Sequence, residues 1–226
     1  MNVYGDMGNV ITLTYRLESR GYIIEYRGLD SLQQLSEQSV DILVGGGGQD
    51  SNQGLVVEDL GKYATELRAQ CEDGLVCLMI CGMYQLFGKR FITAENTEIS
   101  GAGILDLETK ASDERLIGNI VVESDWGKLV GFENHSGRTY LGSGVSPLGM
   151  VTKGAGNNGI TGEEGVISNN VFCTYMHGPV LAKNPQLADE LIERVLDRTF
   201  GETGSLAPLD DYLETQASLA AIKRPR

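Results

Sequence analysis

Histidine is scarce in this sequence, with only two in 226 residues, His135 and His177. The chain also lacks an apolar run near the length of about 20 residues that a membrane-spanning helix needs, and no secretion signal opens it. These absences predict a protein without membrane insertion that works in the cytoplasm. They also reduce any histidine-dependent chemistry to a choice between two residues.

Basic side chains are in the minority, because 18 lysines and arginines face 31 aspartates and glutamates, for a formal net charge of -13. A chain this acidic repels phosphate backbones, which argues against nucleic acid as a partner. The hydrophobic fraction of 41% is that of a globular protein. Length and patterning predict a single domain over residues 1–200 and a C-terminal tail over 201–226, which is loose or docks on a partner.

The cysteines show no paired framework, although three of the four, Cys71, Cys77 and Cys81, lie close together in sequence and Cys173 lies far from them. Without a secretion signal, free thiols are the favoured interpretation. The rival is a zinc site at Cys77 and Cys81, but a second ligand pair at the usual spacing is missing. The sequence therefore predicts neither a metal nor a cofactor.

The first half of the chain alternates helical and extended patterns. Apolar residues at helical spacing predict helices at residues 8–20, 31–38 and 58–71, and from 83 onward. A capping serine, Ser31, favours the start of the second. Apolar extended segments predict strands at 22–26, 40–44 and 75–80. The alternation predicts an α/β domain with a mostly parallel central sheet covered on both faces.

The second half carries short extended runs separated by Gly, Asn and Ser, followed by an amphipathic helix at 187–200. These runs predict a β-rich, antiparallel addition to the sheet, at residues 117–122, 129–132, 139–141, 149–151, 165–167 and 171–175. In parallel sheets, functional residues lie at the carboxyl ends of the strands. That rule points to Gly45–Asp50 and Cys81–Gln85.

Cys81 follows a buried strand, and Gly82 and a helix come directly after it. This strand–turn–helix context is typical of a nucleophile elbow, in which a tight turn projects the side chain out of the sheet. The backbone N–H of Gly82 is then placed to stabilise an oxyanion. The alternative is a buried thiol at the end of a core strand, a common place for cysteine.

A thiol nucleophile needs a base, and histidine is the usual one. His177 follows a late strand, which would bring it to the same sheet edge as Cys81, so it is favoured over His135. His135 lies in a polar turn, where a solvated histidine is the first expectation and a place on an ammonia exit or partner interface the second. Arg138 in the same turn stays equally open.

Four consecutive glycines, Gly45–Gly48, follow a predicted strand. Such a run loses much backbone entropy on folding, and close approach of backbone to a ligand would explain it. A flexible surface turn is the alternative. A phosphate-binding loop is less favoured, because no Lys-Ser/Thr pair follows.

The elbow at Cys81, the glycine run, the segment around His177 and several others together resemble the class I, or triad-type, glutamine amidotransferases, in the cobyric acid synthase branch. The sequence is most similar there to GatD-type glutaminase subunits of lipid II isoglutaminyl synthase. The segments that carry the resemblance are Met1–Asn9, Gly46–Asp50, Cys81–Gly88, Arg115–Asn119, Gly131–Thr139 and Tyr175–Pro179.

The resemblance implies a flavodoxin-like, three-layer fold and a role for each residue. Cys81 would attack the amide of L-glutamine, with His177 as general base and acid. Gly47 or Gly48, together with Gly82, would form the oxyanion hole, and Arg115 would bind the glutamine carboxylate. Ammonia would pass to a MurT-like Mur-ligase ATPase. The two proteins would form a heterodimer that amidates the D-glutamate of lipid II.

The sequence departs from the family pattern at three positions. Met79 and Met83 replace small residues around Cys81, and Pro179 stands where many relatives carry the glutamate that orients the histidine. We therefore expect a Cys-His dyad, oriented by a backbone carbonyl. Two other functions stay open: an amidotransferase for another acceptor, such as a cobyrinate-like ring, and a non-catalytic module on the same fold.

Overall fold

The computed structural model describes residues 5–47, 50–201 and 204–224, and within them the side chains of all but residues 36 and 50–55. Every helix in these ranges is too short or too polar to span a bilayer. The helices are α1 (Met7–Glu18), α2 (Gln34–Glu37), α3 (Asp50–Glu72), α4 (Gly82–Phe87), α5 (Pro185–Phe200) and α6 (Tyr212–Lys223), with a 3₁₀ turn at Leu181–Lys183.

Of the described strands, five lie in the first half of the chain and seven in the second. The strands are β1 (Ile42–Gly45), β2 (Val76–Ile80), β3 (Arg90–Ile92), β4 (Glu98–Ser100), β5 (Leu107–Lys110), β6 (Leu116–Ser124), β7 (Gly127–His135), β8 (Arg138–Leu141), β9 (Gly149–Lys153), β10 (Glu163–Glu164), β11 (Val166–Ser168) and β12 (Val171–Thr174).

The central sheet has the order β1-β2-β12-β11. Its two inner pairings, β1 with β2 and β2 with β12, are parallel, and β11 pairs antiparallel at the edge. The predicted mostly parallel α/β sheet is confirmed. The strand predicted at 22–26 is wrong, because this segment forms no regular element. Its side chains Tyr22 and Ile24 still pack on the core.

Side chains of β2 alternate between two hydrophobic clusters, as the two-residue period of a strand requires. Val76, Leu78 and Ile80 join the cluster that includes α1 and α5. Cys77 and Met79 join the cluster on the other face, with α3 and α4. The sheet therefore has helices on both faces, which is the three-layer arrangement that the sequence predicted.

Two further sheets form the β-rich addition, with the orders β10-β9-β6-β7 and β4-β3-β5-β8. All their pairings are antiparallel except that of β3 with β5. The first joins the central layer through a bridge in which Phe132 of β7 pairs with His177. The addition therefore contacts the segment that follows β12.

The C-terminal segment contains α6, a helix that the weak sequence pattern did not predict. It contacts β6, β7 and the 3₁₀ turn. The loop before it is held by Arg16, a buried guanidinium that donates to Asp189 of α5 at 2.6 Å and to Asp211 at 2.5 Å. These contacts attach the end of the chain to its own domain.

Candidate active site

The backbone at Cys81 is strained. β2 ends at Ile80 and α4 begins at Gly82, and the residue between them has φ 53° and ψ -105°, a region that residues with a side chain rarely adopt. The Cys81 N–H donates to Thr174 O of the neighbouring strand at 2.9 Å, which holds the turn. Strain held by surrounding structure is a mark of functional sites, and this is the elbow geometry that the sequence predicted.

His177 lies at the same sheet edge. β12 is parallel to β2, and Thr174 is opposite Ile80. The segments that follow these two strands therefore leave the sheet side by side. The His177 backbone exchanges two hydrogen bonds with Phe132, of 2.8 and 3.1 Å. Its side chain is buried. The sheet thus brings Cys81 and His177 to one edge, as their positions after neighbouring strands imply.

A carboxylate that sequence reasoning missed lies beside this histidine. Asp6 Oδ1 is 3.6 Å from His177 Nδ1, and Asp6 Oδ2 accepts a hydrogen bond from the Gly47 N–H at 2.7 Å. Asp6 is only 3% exposed. The sequence predicts a dyad oriented by a backbone carbonyl, but this carboxylate, 171 positions away from His177 (177 − 6), lies beside the imidazole in the structure.

The glycine run approaches the elbow closely. Gly46 and Gly47 are buried, and a Cβ on Gly45 would lie 2.7 Å from Met79 Sδ and 3.0 Å from Met83 Cγ. The two unusual methionines thus pack against the glycine loop. The Gly47 N–H, a predicted oxyanion-hole donor, is already engaged in a hydrogen bond to Asp6 in this structure.

Of the two other predicted oxyanion-hole donors, Gly48 and Gly82, the structure describes only Gly82. Gly48 lies outside the described residues. Gly82 is the buried first residue of α4, directly after the strained Cys81.

Arg115 precedes β6 and is exposed. Its Nε and Nη2 atoms donate to Asn134 Oδ1 at 3.1 and 3.0 Å, and Nη2 also donates to the Asn134 carbonyl at 3.1 Å. These bonds fix the guanidinium plane and do not use Nη1. With Nε and Nη2 bonded to Asn134, the N–H groups of Nη1 are the donors available to a carboxylate.

His135 is not solvated, which corrects the first expectation for this turn. It is 2% exposed and stacks on the Tyr175 ring. Its Nδ1 lies 2.8 Å from the Gly137 carbonyl oxygen, which can only accept, so Nδ1 carries the proton. Burial, more than the charges of Arg138 and other nearby cations, lowers the pKa of His135 to about 3. His135 is therefore a neutral imidazole.

A buried polar network lies behind the elbow. The Tyr175 hydroxyl accepts a hydrogen bond from Gln85 Nε2 at 3.1 Å and lies 2.7 Å from Thr139 Oγ1. Glu164 Oε1 accepts from the Thr174 hydroxyl at 2.6 Å and from the Tyr175 N–H at 2.8 Å. Burial raises the pKa of Glu164 to about 7. Thr174 and Tyr175 of this network lie on the strand end that leads to His177.

Residues 1–185 match the family model of the CobB/CobQ-like glutamine amidotransferase domain. The chain belongs to this family of glutamine amidotransferases. Membership makes the protein a glutamine-hydrolysing type of enzyme and agrees with the α/β fold described above.

Two relatives of this amidotransferase resemble it over nearly its whole length. It is 41% identical to "Lipid II isoglutaminyl synthase (glutamine-hydrolyzing) subunit GatD" of Staphylococcus aureus (strain N315), over 99% of this chain and 91% of the relative. It is 35% identical to the protein of the same name from Streptococcus pneumoniae (strain ATCC BAA-255 / R6), over 96% of this chain and 84% of the relative.

Solved structures support the fold alone. A crystal structure of a glutamine amidotransferase superposes with a TM-score of 0.60 at 18% identity, over 86% of this chain and 96% of the other. The structure of PurLQS from Thermotoga maritima superposes with a TM-score of 0.52, also at 18% identity, over 84% and 91% of the two chains.

Proposed function

We propose that this chain is a glutaminase subunit that hydrolyses L-glutamine to glutamate and ammonia through a thioester on Cys81. One observation carries the proposal: Cys81 occupies a strained elbow at the end of β2, and the neighbouring parallel strand leads to His177. A nucleophile and a base on adjacent strands of a rigid sheet are the elements that covalent acyl transfer needs.

The chemistry follows from these positions. His177 takes the thiol proton, and the Cys81 sulfur attacks the side-chain carbonyl carbon of glutamine. The Gly82 N–H donates to the oxyanion that forms. The carbon–nitrogen bond breaks as His177 returns its proton to nitrogen, which leaves as ammonia. Water, deprotonated by His177, then hydrolyses the thioester to glutamate and restores the Cys81 thiol.

Arg115 anchors the substrate in this proposal. Its guanidinium is held by Asn134 and is exposed, so a free carboxylate can reach it. Glutamine carries its α-carboxylate at the end opposite the amide. Anchoring that end would fix the distance between the amide carbon and Cys81. Holding the reacting groups in position in this way raises the reaction rate.

The acceptor of the ammonia is proposed from the relatives. Both long matches are named as subunits of a glutamine-hydrolysing lipid II isoglutaminyl synthase. We infer that this chain works in the cytoplasm as a heterodimer with a MurT-like Mur-ligase ATPase. That partner would activate the D-glutamate carboxylate of lipid II with ATP, and ammonia from Cys81 chemistry would amidate it during peptidoglycan synthesis.

A second acceptor is favoured by shorter matches. Cobyric acid synthases also resemble this chain, one from Methanothermobacter thermautotrophicus at 37% identity over 114 residues, which are 44% of this chain. Ammonia delivery to a cobyrinate-like ring would fit the same site. Because those matches cover less of the chain, the lipid II acceptor is the better supported proposal.

A co-purification with ammonia measurement tests the function. The chain is expressed with a tag in a host that also makes a Mur-ligase-like ATPase, and the complex is assayed for ammonia from glutamine. The proposal expects that the ATPase co-purifies and that Cys81→Ala lowers ammonia release at least about 10³-fold, the order seen when nucleophiles are removed. Unchanged ammonia release by the variant would contradict it.

A further inference from the structure

We propose that Asp6 is a positioning residue that ties the catalytic base to the glycine loop, an inference that rests on the proposed function. The observation is one buried carboxylate between two parts of the site. One oxygen accepts the Gly47 N–H at 2.7 Å, and the other lies 3.6 Å from His177 Nδ1.

The fold holds Asp6 where it is. It directly precedes α1, and the first turn of that helix packs against the segment after His177. A Cβ on Gly8 would lie 2.3 Å from Pro179 Cγ, so only glycine permits this approach. Asn9 Oδ1 accepts a hydrogen bond from the Leu181 N–H at 2.9 Å. The distance from Asp6 to His177 is thus fixed by backbone packing on both sides.

Because Asp6 is buried, a role in packing alone does not explain its presence. An aspartate that is 3% exposed loses its hydration and must be compensated by hydrogen bonds or charge. The Gly47 amide supplies one bond, and the His177 imidazole is the group that faces the other oxygen. Hydrogen bonds of catalytic groups are often long without substrate and shorten when it binds. A small rotation of the imidazole would close the 3.6 Å gap.

The proposed role follows from proton positions. An acid beside Nδ1 keeps the proton on that nitrogen, so Nε2 presents the lone pair that takes the Cys81 proton. The imidazolium that forms is then stabilised by the Asp6 carboxylate. Because the other carboxylate oxygen holds Gly47, the base and the glycine loop keep one relative position.

The main experiment compares Asp6→Asn with Asp6→Ala on the full chain. Asparagine can keep an oxygen on the Gly47 N–H while turning an N–H₂ group toward Nδ1, which favours the wrong tautomer. We expect kcat for glutamine to fall at least about 100-fold in Asp6→Asn, with KM changed less than about twofold; the corresponding change in a serine protease triad lowers kcat about 10⁴-fold. Asp6→Ala should lose more and also raise KM, because the glycine loop is released.

Controls separate this role from folding. Asp106→Asn changes a carboxylate that also accepts from a backbone N–H, that of Gly144, but that lies directly before β5; it should retain wild-type kcat. Asp6→Glu should recover at least about tenfold of the activity lost in Asp6→Asn, since it restores the charge. Thermal unfolding of each variant shows whether the fold survives.

A measurement on the wild-type chain stands even if every variant unfolds. The chain has two histidines, so ¹⁵N NMR of labelled histidine gives two readable rings, assigned with His135→Asn. The proposal expects His177 to carry its proton on Nδ1. A proton on Nε2, or wild-type kcat in a folded Asp6→Asn, would overturn it. If the wild type itself releases no ammonia, the proposed function fails instead.

Discussion

The His135 imidazole lies face to face on the Tyr175 ring, with ring centroids 3.6 Å apart and planes inclined by 4°. The Nδ1 proton is donated to the Gly137 carbonyl. This contact places a neutral histidine inside the domain, where a protonated one would lack hydration. The fold should therefore depend on His135 remaining neutral.

The first prediction concerns acid stability. His135 has an ordinary pKa of 6.5, which burial lowers to about 3 in the fold. Between these values the unfolded chain binds a proton that the folded chain does not, so this residue stabilises the fold above pH 6.5 and the stabilisation is lost as pH falls. Wild type should lose about 2 kcal/mol more than His135→Asn between pH 6.5 and pH 5, at about 1.4 kcal/mol per pH unit.

Denaturant unfolding of both chains at the two pH values provides the measurement. Asparagine can still donate to the Gly137 carbonyl, so the comparison isolates the titrating ring. Contributions from other groups, including Glu164, are common to both chains and cancel. Parallel pH dependences for the two proteins would rule out a neutral, buried His135.

Glu164 predicts a change of the opposite sign. Burial raises its pKa from 4.5 to about 7, so the folded chain holds a proton that the unfolded chain has released. This contribution is fully present below pH 4.5 and is lost as pH rises through 7. Glu164→Gln should therefore gain stability relative to wild type between pH 4.5 and pH 8, by at most about 3 kcal/mol. Chemical denaturation of wild type and Glu164→Gln at pH 4.5 and pH 8 measures the difference, and equal changes in the two proteins would contradict a buried, protonated Glu164.

Arg115 tests how substrate is anchored. Arg115→Ala should raise KM for glutamine at least about tenfold, because a charge-assisted pair with the α-carboxylate is worth roughly 1.5 to 3 kcal/mol. Arg115→Lys should recover little, since a single ammonium cannot both hold Asn134 as the guanidinium does and present further donors to the carboxylate. Arg90→Ala removes an arginine that pairs with Glu98 and Glu108 on another sheet, and it should leave KM unchanged. Steady-state kinetics decide, and a normal KM in Arg115→Ala would refute the assignment.

Alanine substitutions at two glycines, Gly137 and Gly61, should change the stability of the fold in opposite directions. A Cβ on Gly137 would lie 2.4 Å from Gln85 Nε2 and 3.0 Å from the Tyr175 hydroxyl, whereas a Cβ on Gly61, inside α3, would meet nothing within 4 Å. Gly137→Ala should therefore cost about 1 to 3 kcal/mol through overpacking. Gly61→Ala should add about 0.5 to 1 kcal/mol through helix propensity. Chemical denaturation measures both, and a neutral Gly137→Ala would show that the network behind the elbow is loosely packed.

Local sequence patterns were sufficient for the elbow. An apolar strand followed by Cys81, Gly82 and a helix leaves few conformations, and the structure shows a positive φ at Cys81. The order of the strands then brought His177 to the same edge. The strand predicted at 22–26 failed because alternation records burial rather than pairing. Tyr22 and Ile24 are packed on the core, although their segment forms no regular strand among the described residues.

Long-range contacts were beyond the reach of sequence patterns. Nothing near Asp6 in sequence indicates that α1 packs beside Pro179, so its contact with His177 was missed. The same holds for His135, whose polar neighbours suggest an exposed turn although Tyr175, directly after β12, covers the ring. Both residues lie within segments that carried the family resemblance, which was the one available signal.

Covalent labelling of Cys81 is the decisive test that this thiol is the nucleophile for glutamine. The chain is incubated with a diazo-ketone analogue of glutamine and analysed by peptide mass spectrometry. The other cysteines, Cys71, Cys77 and Cys173, are buried, and only Cys81 is partly exposed. The account predicts one adduct, on Cys81, that excess glutamine prevents and that His177→Asn slows at least about 100-fold, within the range for general base catalysis. An unlabelled Cys81, or labelling that glutamine does not prevent, would contradict it.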